Sequence, residues 1–519
     1  MKISISYPPL TSNKGIPLLA QNRQFQWFNN PTYIYPMIPA YAATMLKQGG
    51  FEVVWDDAIT EELSYIQWLD RIKKEKPDII AIETKTPVVK RHWQIINELK
   101  TLSSNLWPLT CILMGDHVTA LPEESMRNTQ VDFVLTGGDY DFLLLNLCKH
   151  LKKIRNPKLV VSKAEPSEIQ PELSPGIWYR DNDEIKNTGM HELNHDLNNL
   201  PFIDRELTKW RQYSVKNGNF KRTPGTYTMA GRDCWWGRCT FCSWTTLYPG
   251  KNFGSVSPEH LLDEIGILIK EYGVREVFDD SGTFPKGEWL ETFCKGMIER
   301  GYNKKIYMGC NMRINALCRD EYDLMAKAGF RFVLFGLESV NQNTLDKLQK
   351  ALKVEQIAEG FKMAKKAGLE PHVTTMVGYP WETKKDAEET ICFAKEMFKK
   401  GYIDTLQATI VVPYPGTPMF EEAKKNGWLL TEDWDRYDMR ESVWRSPVTG
   451  EDVKRLTQGL YKAALNPRFI VRKLFSIRNI DDIRFLWMAG RKLMGHLTDF
   501  NPQITQIDTD EHRLKRKKI

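Results

Sequence analysis

Twice along its 519 residues this chain alternates short β-rich runs with amphipathic helical segments, and that alternation constrains the fold more than any other feature. In the first stretch KISISYP, FEVVWDD, PDIIAIETK, CILMGDH and VDFVLTGG are apolar runs, with AYAATMLKQGG and HWQIINELKTL between them at helical spacing. Strands separated by helices in this way predict a parallel sheet covered on both faces. Ligands of such sheets bind beyond the carboxyl ends of the strands. The loops there are Tyr7-Pro8-Pro9, Thr84-Lys85-Thr86-Pro87, Gly115-Asp116-His117-Val118-Thr119 and Thr136-Gly137-Gly138. No G-x-G-x-x-G follows the first strand, so a dinucleotide is not expected. From Thr226 the alternation resumes through YTMAGRD, VREVFDDSGTF, KIYMGCNMRI, FRFVLFGLES, EPHVTTMVGYP and DTLQATIVVPYPGTP. Six successive βα units predict an open barrel with its site at the C-terminal mouth. The expected class is α/β: an N-terminal Rossmann-like parallel sheet, a central partial (β/α)6 TIM-type barrel and a mainly helical C-terminal region.

Directly after the first barrel strand comes GRDCWWGRCTFCSW, which places Cys234, Cys239 and Cys242 within nine residues. An odd number of thiols cannot pair off internally, and thiolates are ligands of zinc and of iron–sulfur clusters. Three are one short of closing a zinc tetrahedron or a four-iron cube, so one metal position stays open for chemistry. The competing reading is a structural zinc loop completed by a distant His or Cys. Nine cysteines over this length are no secreted disulfide framework and fit a reduced, cytoplasmic compartment. MKISISYPP lacks the cationic start and apolar core of a signal peptide, and no run of eighteen apolar residues occurs. From Pro467 onward 12 Lys/Arg face 6 Asp/Glu, a difference that equals the whole chain's +6. The remainder is balanced, which argues against a nucleic-acid groove.

These motifs together resemble, over roughly residues 1–440, the radical S-adenosylmethionine (SAM) enzymes that carry a fused cobalamin-binding domain. The usual cluster motif there is C-x3-C-x2-C with an aromatic residue before the last Cys. This chain has C-x4-C-x2-C, with Phe241 in the aromatic place and the added residue within Trp235–Arg238, where Gly237 can absorb the turn. FDDSGTF, CNMRIN, FGLES, GYPWET and PYPGTPMFEEA are similar to the family's later strand endings. The resemblance implies a [4Fe–4S] cluster on Cys234, Cys239 and Cys242. It implies SAM contacts from Phe241, Asp279, Asp280, Ser281, Arg313, Glu338 and Gly378. It implies cobalamin contacts from Pro8, Pro9, Tyr35, Thr84, Thr86, Gly115, His117, Thr119 and Gly137. MGDHVTALPEE stands where the family often has G-G-x-H-x-T-x-x-P, and D-x-H-x-x-G is absent, so no histidine is expected to ligate the lower face of cobalt. His117 also reads as a loop histidine bonded to backbone, and Arg313 with Glu338 as a barrel-interior ion pair. Cys310 and Tyr437 are candidate catalytic residues, whereas Cys294, Cys318 and Cys392 read as core thiols.

The implied organisation is a cobalamin-binding domain at 1–155, a linker at 156–224, the radical SAM barrel at 225–425, a capping region at 426–505 and a disordered basic tail at 506–519. The implied reaction is methylation of an unactivated carbon through a 5′-deoxyadenosyl radical and methylcobalamin. The alternatives are oxidative cyclisation or rearrangement, as in the anaerobic Mg-protoporphyrin ester cyclases the chain also resembles, and a non-catalytic cobalamin or metal-binding sensor. The partners expected are a small-molecule or lipid-like substrate and an external electron donor of flavodoxin or ferredoxin type. NPRFIVRKLFSIRNIDDIRFLWMAGRKLMGHL reads either as a helical cap on the barrel or as a basic amphipathic surface for an anionic membrane.

Overall fold

The computed structural model describes residues 1–498 except 11, 13, 19–24, 26, 29–31, 105, 156–172, 183, 216, 218–219, 251, 463–466 and 476; the expected basic tail, 506–519, lies outside the described residues. The first alternation folds into a seven-stranded sheet. Its strands are β1 (Lys2–Tyr7), β4 (Glu52–Asp57), β5 (Ile79–Glu83), β6 (Thr110–Met114), β7 (Phe133–Leu135), β8 (Ile177–Asp181) and β9 (Glu184–Asn187), while β2 (Ile16–Pro17) and β3 (Trp27–Phe28) form a separate small hairpin. The order is β4-β1-β5-β6-β7-β8-β9. The first five strands are parallel, and every residue of IIAIE in β5 is buried, as a central strand covered by helices requires. Within the segment expected to be a linker, SPGIWYRDNDEIKNTG forms the hairpin that its pattern suggests. This hairpin, β8–β9, adds antiparallel to the β7 edge, where Trp178 sits opposite Val134.

The second alternation forms the barrel. β10 (Gly225–Thr228), β13 (Glu276–Asp279), β14 (Tyr307–Met312), β15 (Phe330–Glu338), β16 (Glu370–Val377) and β17 (Thr405–Ile410) pair in parallel in sequence order. Side chains alternate across each strand. Phe332, Leu334, Gly336 and Glu338 on β15, with His372, Thr374 and Met376 on β16, line the interior, which is a cavity of about 720 Å³. A second small ladder, β11 (Gly231–Arg232) with β12 (Gly254–Ser255), leads into the cysteine loop.

The two ends of the barrel are closed by different parts of the C-terminal region. At the strand N-termini, buried Arg331 donates to Glu276 (2.9 Å) and to Glu370 (2.5 Å), and Lys221 bonds Glu370 (3.1 Å). The helices Pro467–Phe475 and Ile480–Thr498 join this ring: Lys473 meets Asp404 at 2.9 Å, Asp482 meets Arg222 at 2.9 Å, and Asp481 meets Arg275 at 2.7 Å. The expected helical cap therefore packs on the floor of the barrel. Residues 426–449 form a strap that spans both sheets. Trp444 Nε1 donates to the Gly378 carbonyl (2.9 Å) at the barrel, while Trp434 Nε1 donates to Glu124 (2.9 Å) and Asp438 pairs with Lys14 (2.5 Å) at the first sheet. Among the described residues no helix is long and apolar enough to cross a membrane.

Candidate active site

The three thiols line the cavity at the C-terminal mouth of the barrel. Cys234 continues from β11, forms a bridge to Thr283 and holds its Sγ 3.1 Å from Thr283 Oγ1. The added residue is accommodated by the tryptophan pair. Trp235 Nε1 donates to the Phe284 carbonyl (3.0 Å) and Trp236 Nε1 to the Gln349 carbonyl (2.8 Å). Gly237 then turns the chain at φ +57°, where a Cβ would stand 2.9 Å from the Gly250 oxygen. Thr240 N bonds the Leu348 carbonyl and its own carbonyl accepts Met419 N at 2.9 Å, so the loop is pinned between two barrel loops. Among the described residues no three His, Cys, Asp or Glu side chains are grouped to hold a single ion. A four-iron cube takes one iron per thiolate, so three thiols on one cavity wall suit such a cluster with one iron left open.

The polar groups beside the thiols come from three strand ends. The Arg313 guanidinium lies 4.0 Å from the Trp236 ring centre and donates to the Lys350 carbonyl. Glu338 sits at φ +62° beside a register shift in the β15–β16 pairing. A non-glycine residue in that region is strained, which is a mark of functional positions. Its partner is Lys350 at 3.1 Å rather than Arg313. The interior ion pair expected from the sequence thus exists with a different cation. Lys350 is presented between Gln349 and Ala351, both at positive φ, and its side chain is almost wholly buried. Burial alone would lower its ammonium pKa, yet Glu338 and Cys239 hold it above the ordinary value. Burial pushes the Cys239 thiol up, and Lys350 opposes that shift. Phe241 lines the cavity with the Lys350 ammonium 6.0 Å from its ring.

Other sequence candidates stand near the cavity without forming its wall. Asp279 accepts from Thr228 Oγ1 (2.9 Å), Ala230 N (2.8 Å) and Ser281 Oγ (2.5 Å), so Asp279 and Ser281 tie the first two barrel strands together. Burial raises the Asp279 pKa. The wall takes in the adjoining Gly282 and Thr283. Buried Asp280 donates its backbone N–H to the Thr228 carbonyl (2.9 Å), continuing that tie between the strands. Gly378, at φ +99°, meets the strap through Trp444. Cys310 shares a register position with Asp279, on the face of β14 opposite Gly309, whose Cβ would meet the interior rings Phe278 and Phe332. It points to Cys294 and Tyr322, and burial pushes its thiol well above the ordinary range. Tyr437 is fully buried in the strap, donating to the Thr431 carbonyl (2.8 Å). Cys294 is buried as expected, but Cys318 and Cys392 are exposed on helical segments.

The strand-end loops of the first sheet form a connected polar cluster. Thr84 Oγ1 meets His92 Nδ1 (2.8 Å), Thr86 Oγ1 meets His117 Nδ1 (3.1 Å), and Thr119 Oγ1 donates to the Gly115 carbonyl (2.7 Å) and accepts from Gly137 N (3.0 Å). Gly115, at φ +120°, has no room for a Cβ, which would stand 2.4 Å from the Thr84 oxygen. Buried His117 uses its other ring nitrogen on Glu124 (3.2 Å) and lies edge-on to Trp434 (5.4 Å). It is thus bonded to side chains rather than backbone. Pro8 and Pro9 are buried after β1, and Tyr35 is hydrogen-bonded to Thr208 and packs against Trp55. Thr246 Oγ1, at the seam where Gly416 meets Ala120, is buried without a hydrogen-bond partner among the described residues. A ligand with an amide rim seated at this seam fits that orphan hydroxyl.

Two residues carry more than their sequence revealed. Lys350 follows the helix Gln342–Lys347 with no motif around it. Arg232, just before the cysteine loop, is buried against Asp139 (3.0 Å) and Asp141 (2.6 Å) of the first sheet. Burial works against its charge, but the two carboxylates hold its pKa well above normal. The cysteine loop is thereby locked to the first sheet.

The radical SAM superfamily model matches residues 230–394, which span the thiols, Arg313, Glu338 and Gly378. A bacteriochlorophyllide d C-8(2)-methyltransferase of Chlorobaculum tepidum is 32% identical over 388 residues, covering 71% of this chain and 73% of that protein. The chain belongs to the radical SAM superfamily. An uncharacterized methyltransferase of Pyrococcus horikoshii is 27% identical over 444 residues, covering 85% of this chain and 90% of that one. The fold of this superfamily member is shared with the cobalamin-dependent SAM radical enzyme OxsB, solved with aqua-cobalamin and SAM, at TM-score 0.65 and 14% identity over 99% of this chain and 75% of that one.

Proposed function

We propose that this protein methylates an unactivated carbon of a small-molecule or lipid-like substrate, using a [4Fe–4S] cluster, SAM and cobalamin. The observation that carries the reading is the convergence of three thiols, the buried Lys350, the half-buried Arg313 and a strained carboxylate on one cavity at the barrel mouth. When bound, the cofactors supply the electron that cleaves SAM and the carrier that delivers a methyl group. Everything else is the task of this chain. Cys234, Cys239 and Cys242 would hold the cluster. Arg313 and Lys350 would neutralise the SAM carboxylate, and charge-assisted bonds from buried donors are the strong kind. Glu338 would accept from the ribose hydroxyls, and Phe241 would pack beside the adenine. Thr246 and the Thr84–Thr119 loop cluster would face the corrin rim. The strap seals the seam, which keeps water from a reactive radical. An external donor of flavodoxin or ferredoxin type belongs to this reading, as does peripheral contact of the basic C-terminal helices with an anionic membrane.

The test is anaerobic reconstitution followed by iron, cobalt and zinc analysis, then incubation with SAM and a strong reductant. Iron and cobalt uptake with release of 5′-deoxyadenosine is expected, and zinc uptake alone would sink the reading. Methyl-labelled SAM should pass its label to the product. An unlabelled, cyclised product would replace methylation by oxidative cyclisation on the same cofactors.

A further inference from the structure

The interior of a parallel barrel is normally filled by layers of branched side chains. Here it stays hollow from the thiols down to the floor. Phe332 and Glu338 line the same strand six residues apart, which at strand rise is roughly 20 Å. The upper layer carries Arg313, Lys350 and Glu338. Below it the wall is Phe332, Leu334 and Leu406, with His372 bonded to Thr405 (2.8 Å) and held near pKa 4, hence neutral, by burial. The floor is Leu474, Leu486 and Ala489 of the two C-terminal helices. Of the floor's charged groups, Lys473 and Asp404 reach the cavity wall, and they pair with each other, Asp404 also with Lys365.

Two residues belong to the cavity and to the surface at once. Ile470 and Leu474 line the interior, yet are 44% and 57% exposed. They mark a portal. Outside it the apolar surface continues through Val471, Phe475, Ile483 and Trp487, with Phe475 87% exposed. A largely apolar path, crossed by the side chains of Thr374 and Gln407, therefore leads from the outer face of the helix pair to the layer where SAM would be cleaved.

We infer that the lower half of the barrel binds the apolar body of an elongated, lipid-like substrate, admitted between the helices Pro467–Phe475 and Ile480–Thr498, with its reacting carbon at the thiol end. The inference rests on the proposed radical chemistry for the reaction, but not for the binding. An enclosed apolar channel open at one end selects for chain length, since each methylene added within it tightens binding by roughly fourfold.

The experiment measures binding of the fluorescent polyene fatty acid cis-parinarate to the full-length, cluster-reconstituted protein, with saturated fatty alcohols of increasing length as competitors. Saturable binding is expected, with competition that strengthens with length and then levels off. Ala489→Trp, which fills the floor, and Leu474→Arg, which charges the portal at an exposed position, should each weaken binding by at least about tenfold. Their iron content and melting midpoint control for folding, and Leu474→Arg alone suffices if the tryptophan variant fails to fold. Phe475→Ser, outside the portal, should bind as wild type does. The inference is overturned if wild type does not bind, if the folded channel variants bind normally, or if Phe475→Ser abolishes binding, which would assign the probe to the outer surface. Binding without any SAM cleavage would instead refute the proposed function and leave the channel standing.

Discussion

The mouth and the floor of the barrel are opposite ends of the same six strands, and they treat charge in opposite ways. At the floor, Arg331 is enclosed by Glu276 and Glu370, and Lys221, Asp482, Arg222 and Lys473 extend the ring, each against a counter-charge from another element. At the mouth, Arg313 rests on an indole face and donates to a carbonyl, while Lys350 and Glu338 share one bond and front an open cavity with the thiols. Paired charges that fill their own coordination hold elements together. Charges aimed into a hollow are available to a ligand. The contrast teaches that burial alone does not separate structural from functional ionisable groups; what lies on their open side does.

The contrast is sharpest if the two ends dissociate under mutation. Cys239→Ala should reduce bound iron and take 5′-deoxyadenosine release to background, with little change in urea unfolding. Arg331→Met should do the reverse, costing about 3–5 kcal/mol by leaving buried Glu276 without its cation and Glu370 with Lys221 alone, while activity per folded, iron-loaded molecule is kept. Loss of activity at full stability in that variant would break the distinction. The floor is also where acid should act. Burial pushes the Glu370 carboxyl up, but Arg331 and Lys221 outweigh it and hold it at about 2, against 4.5 when unfolded. A depressed folded pKa gives stability that is complete above about pH 4.5 and lost as pH falls toward 2, about 3 kcal/mol in all. Glu370→Gln should remove that part of the acid sensitivity in unfolding curves at pH 7 and pH 3. At the mouth, Lys350→Met should raise KM for SAM by roughly ten- to hundredfold, the worth of a charge-assisted bond. The smallest effect expected is from Trp236→Ala, which removes the face supporting Arg313, worth about 0.5–2 kcal/mol, read as a several-fold rise in the same KM.

Much of this was legible in the sequence because periodicity and short motifs report on local geometry. The βα alternation gave both sheets, and the thiols, Arg313, Phe241 and Glu338 fall on the cavity wall because a strand end fixes where the next residue can go. What escaped depends on contacts distant in sequence. Lys350 reaches the site only because a helix folds its following loop back over β15. Cys310 lies on the right strand but on the wrong face, since side-chain direction alternates and a one-residue difference reverses it. The hairpin β8–β9 is readable as a hairpin but not as part of the first sheet, because its partner, the β7 edge, lies some forty residues earlier. Among the candidate loops of the first sheet, sequence located Thr84, Thr86, His117 and Thr119 together, but not that Thr86 bonds His117 while Thr84 turns to His92 and Thr119 bridges Gly115 and Gly137.

The strap at 426–449 is anchored on Gly378 at one end and on Glu124 and Lys14 at the other. Neither sheet can be exchanged for that of a distant relative unless this segment is exchanged with it, because half of its anchors would meet a foreign surface. Recombination between such proteins should therefore succeed when the crossover keeps the strap with both of its partners. The two sheets and the strap are thus tied into one structural unit, although the chain draws them as separate domains.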